Sequence, residues 1–287
     1  MQSTTGTDEP REIGLRDAAE RLEVHYMTAY RYVRSGRLPA RKDGGEWRVL
    51  EEDLARLTSG TDADTPVAAG PASRARQRAG LEARLVAGDE AGAWGVCDAA
   101  LNAGASPSKV LLELLAPSLA SIGSRWAAGE LTIAHEHQAT AVASRIIGRL
   151  GPRFARRGRK RGTVIVGAAA GDRHALAPAI LADLLRGAGF DVVDLGADTP
   201  AESFEMSASN ASQLVGVVVS VTSDDGLDGA SEAARLLRRS LPDTPVFIGG
   251  GAVASAAQAM SLGSSRYCDD GPGLVAALEV SLAGAGA

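Results

Sequence analysis

The stretch Gly162 to Ala177, GTVIVGAAAGDRHALA, constrains the fold of this chain more than any other. Its β-branched run Thr163 to Val166 is bounded by glycines and reads as a buried strand, while Ala175 to Leu185 carries the apolar spacing of a helix. The alternation then repeats. Strands are predicted at Asp191 to Asp194, Leu214 to Val219, Val246 to Ile248 and Arg266 to Cys268, with helices between and after. The pattern implies a doubly wound, Rossmann-like parallel sheet of five strands over residues 162–285. Such sheets bind ligands beyond the carboxyl ends of their strands, and the loop after the first strand holds Asp172-Arg173-His174. An imidazole that ligates a metal needs its other ring nitrogen hydrogen-bonded, and a carboxylate two residues away can supply that bond.

The rest of the chain has room for more than this sheet. With 287 residues and 45% apolar content it is long enough for two or three domains with proper cores. No apolar run approaches the roughly 20 residues of a membrane helix, and the polar start lacks a signal peptide's basic and apolar regions, so a cytoplasmic protein with no membrane partner is expected. Cys97 and Cys268 form neither a CxxC pair nor a disulfide framework and read as packed, reduced thiols. The formal charge of −5 argues against indiscriminate nucleic-acid binding by the whole molecule.

Residues 1–11 read as a disordered leader and residues 12–58 as a small domain. Leu15, Ala18, Ala19 and Leu22 have helical spacing, Val24 and His25 make a turn, Tyr26 to Ser35 fits a second helix, and Gly36-Arg37-Leu38-Pro39 ends it. Ala40 to Leu50, with Asp43-Gly44-Gly45 at its turn, reads as a two-stranded wing, and Glu51 to Leu57 as a closing helix. Six basic residues lie between Arg31 and Arg48 against Asp43 and Glu46. The segment resembles the winged helix-turn-helix of excisionase-type and MerR-type regulators. That likeness implies Thr28, Tyr30 and Arg31 on a recognition helix in the major groove of a DNA operator, with Arg41, Lys42 and Arg48 neutralising phosphates. The competing reading is a charged, solvated face on a small protein-interaction domain.

Residues 59–73 are small, polar and proline-containing, hence a flexible linker. Four helices are predicted in residues 74–151, at Arg74 to Ala87, Glu90 to Ala103, Pro107 to Ala127 and Ile133 to Leu150, which suggests a four-helix bundle. The stretch Gly151 to Gly162, GPRFARRGRKRG, carries six basic residues and no acidic one. It reads first as a solvated connection and second as a contact for DNA phosphates.

Asp172-x-His174 resembles the Asp-x-His-x-x-Gly signature of cobalamin-binding domains, with Ala177 where that pattern has glycine. Ser220-Val221-Thr222 resembles the family's Ser-x-Leu/Thr element, and Gly249-Gly250-Gly251 its glycine pair. The resemblance implies His174 beneath cobalt with Asp172 as its partner, and Ser220, Thr222, Gly249 and Gly250 along the cofactor's buried nucleotide tail. The helices before the sheet are similar to the cap over the corrin in that superfamily. Within them Trp126, nine residues, then Glu136-His137 resembles the motif of the CarH/LitR photoreceptor regulators. That implies Trp126 and Glu136 around the adenosyl group of adenosylcobalamin, and His137 on cobalt from above after light. His135, about 100° around the helix from its neighbours, reads as a surface residue.

The function these resemblances imply is a light-sensing transcription regulator, a repressor without enzymatic activity, that binds DNA in the dark as a homotetramer or dimer. Two others stay open: a sensor of cofactor level without a light response, and a corrinoid methyl-carrier or enzyme module.

Overall fold

A computed structural model of the chain describes residues 12–22, 24–34, 38–58, 71–268 and 270–285. The predicted leader, residues 35–37 of the turn after the second helix and residues 59–70 of the linker lie outside the described residues, as do the side chains of Arg31 and Arg34. Two compact units divide the chain between Leu131 and Thr132.

In the first unit, β1 (Glu12–Gly14) leads into α1 (Leu15–Arg21) and α2 (Tyr26–Arg34), followed by β2 (Arg41–Asp43), β3 (Glu46–Leu50) and α3 (Glu51–Thr58). The expected hairpin is present, with β2 antiparallel to β3. It is wider than expected because β1 pairs with the other edge of β3, Ile13 opposite Val49. Leu15, Ala18, Ala19, Ala29, Leu38, Val49 and Leu54 form the core of this segment.

The same unit holds α4 (Pro71–Val86), α5 (Glu90–Asn102), α6 (Pro107–Lys109) and α7 (Ala116–Ala127). Leu81, Leu85, Leu111, Leu115 and Ile122 are buried here, as is Trp94. Between α6 and α7, residues Val110–Leu115 widen into a π-helical turn. Pro117 explains its place: the ring crowds the carbonyl four residues back, at Glu113, and removes a donor, so a regular ladder cannot run through. Arg125 fixes the end of α7 by bonding Glu82 on α4 at 2.6 Å and Glu130 at 3.2 Å. The division between the units falls inside the span predicted as one bundle. Its fourth helix, α8 (Ile133–Leu150), therefore belongs to the second unit.

That unit continues with β4 (Thr163–Ala168), α9 (Leu176–Gly187), β5 (Asp191–Asp194), α10 (Ala201–Asn210), β6 (Leu214–Ser220), α11 (Leu227–Ser240), β7 (Val246–Gly249), α12 (Ala256–Leu262) and α13 (Gly271–Ala285). The strands are parallel in the order β5-β4-β6-β7. Alternate residues serve opposite faces, as a period of two demands. Val164, Val166 and Val218 pack with Leu185 and Leu278 on one side, while Ile165, Val217 and Val219 pack with Phe204 and Leu237 on the other. Each such buried side chain contributes roughly 1.5–3 kcal/mol. The unbroken β-branched runs of β4 and β6 are the expected signature of strands covered on both faces.

Among the described residues the sheet has four strands, where five were expected. Arg266 makes one isolated bridge to Phe247, and Arg266 to Cys268 forms no strand. The outer edge of β7 is occupied by side chains instead: Val246 N donates to Ser265 Oγ at 3.0 Å and Ile248 N to Ser264 Oγ at 3.0 Å. Those are the donors a fifth strand's carbonyls need.

Candidate cofactor site

The chain leaves β4 for β5 on one side and returns to β6 on the other, so the switch point of the sheet lies at the carboxyl ends of β4 and β6. Both loops named from the sequence emerge there. The turn after β4 is held by backbone bonds, Ala169 N to Ser220 O at 3.1 Å and Asp172 N to Ala169 O at 2.9 Å. Gly171 sits at φ +89, and a Cβ there would run into the carbonyl of Asp225, so this turn needs glycine.

Asp172 is fully buried. Its Oδ1 accepts from the backbone N of His174 at 3.1 Å and lies 2.6 Å from His174 Nδ1, while Oδ2 accepts from Thr222 N at 2.5 Å. One carboxylate thus joins the loop after β4 to the loop after β6. With Nδ1 turned to the carboxylate, Nε2 of the half-exposed His174 ring is the nitrogen that faces outward for a metal. Asp198, which the sequence reading missed, clamps the same turn: Gly171 N donates to its Oδ1 at 2.8 Å, and its own N donates to Asp172 O at 2.8 Å. It holds φ +51, a conformation that aspartate tolerates better than most residues. No motif announces it.

At the end of β6, Ser220 is buried, and Thr222 Oγ1 is a buried hydroxyl with no hydrogen-bond partner among the described residues. Beyond β7, Gly250 sits at φ +132, where a Cβ would collide with the backbone of Val221, and a Cβ at Gly249 would meet Cys268 O at 3.8 Å, an ordinary contact. Asp172, His174, Ser220, Thr222, Gly249 and Gly250 thus belong to one end of one sheet. They fit a cobalt corrinoid: an oriented imidazole with a free nitrogen, an orphaned hydroxyl able to take a polar tail, and a backbone with no side chains in the way.

The residues named on the helices differ in setting. Trp126 ends α7 with 46% of its surface exposed, a large apolar area for an indole. At the start of α8, Thr132 is the N-cap, as its position suggested, but the reciprocal bond comes from His135, whose Nδ1 accepts from Thr132 N at 3.2 Å. His135 is therefore a capping residue. Glu136 accepts from Thr140 Oγ1 at 2.8 Å and lies 3.7 Å from His137 Nε2, and the His137 side chain is 72% exposed. Trp126 falls in the first unit and Glu136 and His137 in the second.

The basic hairpin is less positive than its sequence implies. Arg41 is held in a two-pronged pair by Glu12 of β1, both bonds 2.8 Å, which keeps the Glu12 carboxyl below its ordinary range. Arg48 lies 3.8 Å from Glu46. Lys42 sits over the Trp47 ring, 6.0 Å from its centre. On α2, Tyr30 is partly buried against the core and stacks on Tyr26 at 6.5 Å. Tyr26 and Met27 are the exposed side chains near the start of that helix. Thr28 is half-buried, and His25 caps the helix by accepting from Met27 N at 3.3 Å.

Known proteins match this arrangement domain by domain. A B12 binding domain model matches residues 77–150, a second B12 binding domain model matches 162–281, and a helix-turn-helix domain model matches 14–60. The chain carries cobalamin-binding domains. It resembles the dimethylamine corrinoid protein of Methanosarcina barkeri, 29% identical over 182 residues that cover 62% of this chain and 84% of that protein. It also resembles the trimethylamine corrinoid protein of the same organism, 32% identical over 112 residues, 38% of this chain and about half of that one at 52%. The solved Methanosarcina barkeri monomethylamine corrinoid protein shares the fold, with a TM-score of 0.61 at 22% identity over 70% of this chain and 96% of that structure. The cobalamin-binding part of the chain is thus matched both before and within the sheet. No helix among the described residues is long and apolar enough to cross a membrane.

Proposed function

We propose that this chain is a corrinoid-dependent transcription regulator that holds DNA through residues 12–58 and responds to the state of adenosylcobalamin, with light as the signal. One observation carries the regulator reading: a helix-turn-helix match shares a chain with two cobalamin-binding matches. When bound, adenosylcobalamin supplies a cobalt–carbon bond that visible light breaks and an adenosyl group above the ring. His174 would hold the cobalt through Nε2, with Asp172 bonded at Nδ1 to orient the ring. Thr222 Oγ1, Ser220 and the glycines 249 and 250 receive the nucleotide tail. Trp126 and Glu136 would be offered to the adenosyl group, and exposed His137 would supply a further imidazole for cobalt. The dark form is an oligomer, and it needs only a few kcal/mol of difference between ligand states to shift its assembly.

A second reading rests on the relatives, which are corrinoid proteins named for dimethylamine and trimethylamine and favour a methyl-carrier module over a light sensor. In that reading the chain carries methylcobalamin for a methyltransferase partner, and residues 12–58 serve another purpose. The absorption spectrum of the full chain reconstituted with adenosylcobalamin, before and after green light, tests the proposal. A lasting light-induced spectrum that Trp126→Ala or His137→Ala alters supports light sensing. Transfer of a methyl group from methylcobalamin to an acceptor through a partner enzyme, with identical behaviour in those variants, supports the carrier.

A further inference from the structure

Among the described residues, the longest run of positive charge without an acidic residue lies outside the helix-turn-helix segment. Residues 12–58 contain nine basic and nine acidic residues. The hairpin's arginines face acids within their own segment, Arg41 with Glu12 and Arg48 with Glu46. Between Gly151 and Gly162 there are six basic residues and no acidic one, and the end of this stretch is pinned to the sheet domain. Arg161 N donates to Gly189 O at 3.1 Å, the Arg161 guanidinium pairs with Glu279 and lies 5.2 Å from the Phe190 ring, and Lys160 Nζ donates to Arg156 O at 3.1 Å. Arg153, Arg156, Arg157 and Arg159 make no ion pair among the described residues and are all exposed. Arg156, Arg157 and Arg159 rim a hollow closed by Ala188 and Gly189.

We infer that this stretch is a second DNA-binding surface, which takes the phosphate backbone of a duplex without reading its sequence. The inference rests on the regulator reading above in its choice of partner. Its chemistry rests on the loop itself. Guanidinium groups bind phosphate oxygens through paired donors, and four of them are already free of protein acids. A pocket for one small anion would converge on a buried donor. Here the charges are strung along exposed chain, which suits a polymer of phosphates. An anionic membrane surface calls for apolar side chains interleaved with the basic ones. The one large apolar residue of the stretch, Phe154, is buried, with Gly187 close beside its ring. The self-neutralised hairpin gives such a surface a task, since duplex affinity at physiological salt grows with the number of phosphates neutralised.

The test uses the full chain and compares the parent with a variant carrying Arg153→Gln, Arg156→Gln, Arg157→Gln and Arg159→Gln, and with a hairpin variant carrying Lys42→Ala and Arg48→Ala. Affinity for a generic duplex is measured across a salt series, with unfolding temperature and cobalamin uptake as checks on the fold. The loop variant should bind about tenfold or more weakly at low salt, and the slope of log affinity against log salt should become shallower by up to about 3.6, near 0.9 for each lost phosphate contact. An unchanged slope, with the hairpin variant impaired, overturns the second surface and leaves the regulator reading intact. Loss in the loop variant alone supports the surface and removes the hairpin from DNA binding. Absence of duplex binding by the parent overturns both. Binding of the parent to phosphatidylglycerol vesicles that the loop variant loses, with duplex binding equal in the two, assigns the loop to a membrane and overturns the inference.

Discussion

Asp172 Oδ1 and His174 Nδ1 lie 2.6 Å apart, and the other oxygen of the same carboxylate bonds the backbone of Thr222 fifty residues later. One buried acid therefore orients the candidate cobalt ligand and ties it to the strand that borders the rest of the site. Asp172→Asn keeps the shape but removes the charge and turns one acceptor into a donor facing Thr222 N. Corrinoid affinity should fall about 10–100-fold, as for other partners of metal-binding histidines. His174→Ala should abolish the imidazole-ligated spectrum while leaving the fold intact. Equal affinity in Asp172→Asn, read by equilibrium titration, would show that the pair is structural only.

Gly250 and Gly251 form a matched comparison. Gly250 has φ +132 and no room for a Cβ against Val221, whereas a Cβ at Gly251 would meet Thr222 O at 3.6 Å, an ordinary contact. Gly250→Ala should cost about 1–3 kcal/mol of stability from the backbone conformation alone and weaken corrinoid uptake. Gly251→Ala should do neither. Thermal unfolding of the two variants without cofactor separates the stability effect from binding.

Much of this site was legible before any coordinates. Strand β5 and helix α8 have the boundaries predicted for them, because their signals are local: a β-branched pair between turn residues, and a threonine cap followed by helical apolar spacing. The two loops of the site were legible for the same reason, since each follows a strand recognisable on its own. What failed depends on partners distant in sequence. Glu12 reaches Arg41 only because the three-residue β1 pairs with β3. Ser264 and Ser265 replace a strand because their hydroxyls fit the β7 edge. Asp198 acts through a left-handed turn in a loop that has no signature.

Glu12 offers a direct way to ask whether the hairpin faces DNA. Glu12→Gln frees the Arg41 guanidinium from its two-pronged pair, so affinity for a generic duplex should rise and the salt slope should steepen by about 1. A slope equal to the parent's would remove Arg41 from the phosphate-binding set.

Asp183 of α9 is buried beside Gly151 and bonds Arg186 at 3.1 Å, and burial pushes its carboxyl above the usual range in spite of the arginine. A carboxyl whose pKa is raised by folding holds its proton more tightly in the native state, so its ionisation costs stability once the pH exceeds the unfolded value near 3.9. Asp183→Asn, which still offers Arg186 an oxygen, should therefore be more stable than the parent at neutral pH, with the advantage vanishing below the ordinary carboxylate range. Denaturant unfolding at about pH 3 and about pH 7 reads the difference. An advantage independent of pH would point to packing rather than charge.

The central claim is that the state of the corrinoid held by His174 governs DNA binding by the same chain. It is tested most directly by the affinity of the full chain, loaded with adenosylcobalamin, for a duplex selected with the dark-state protein, measured in darkness and again after green light. A loss of at least about tenfold after light is expected, equivalent to about 1.4 kcal/mol, and no such loss in protein kept dark. Equal affinity before and after illumination, in samples whose spectra show that the cofactor has been photolysed, would contradict it.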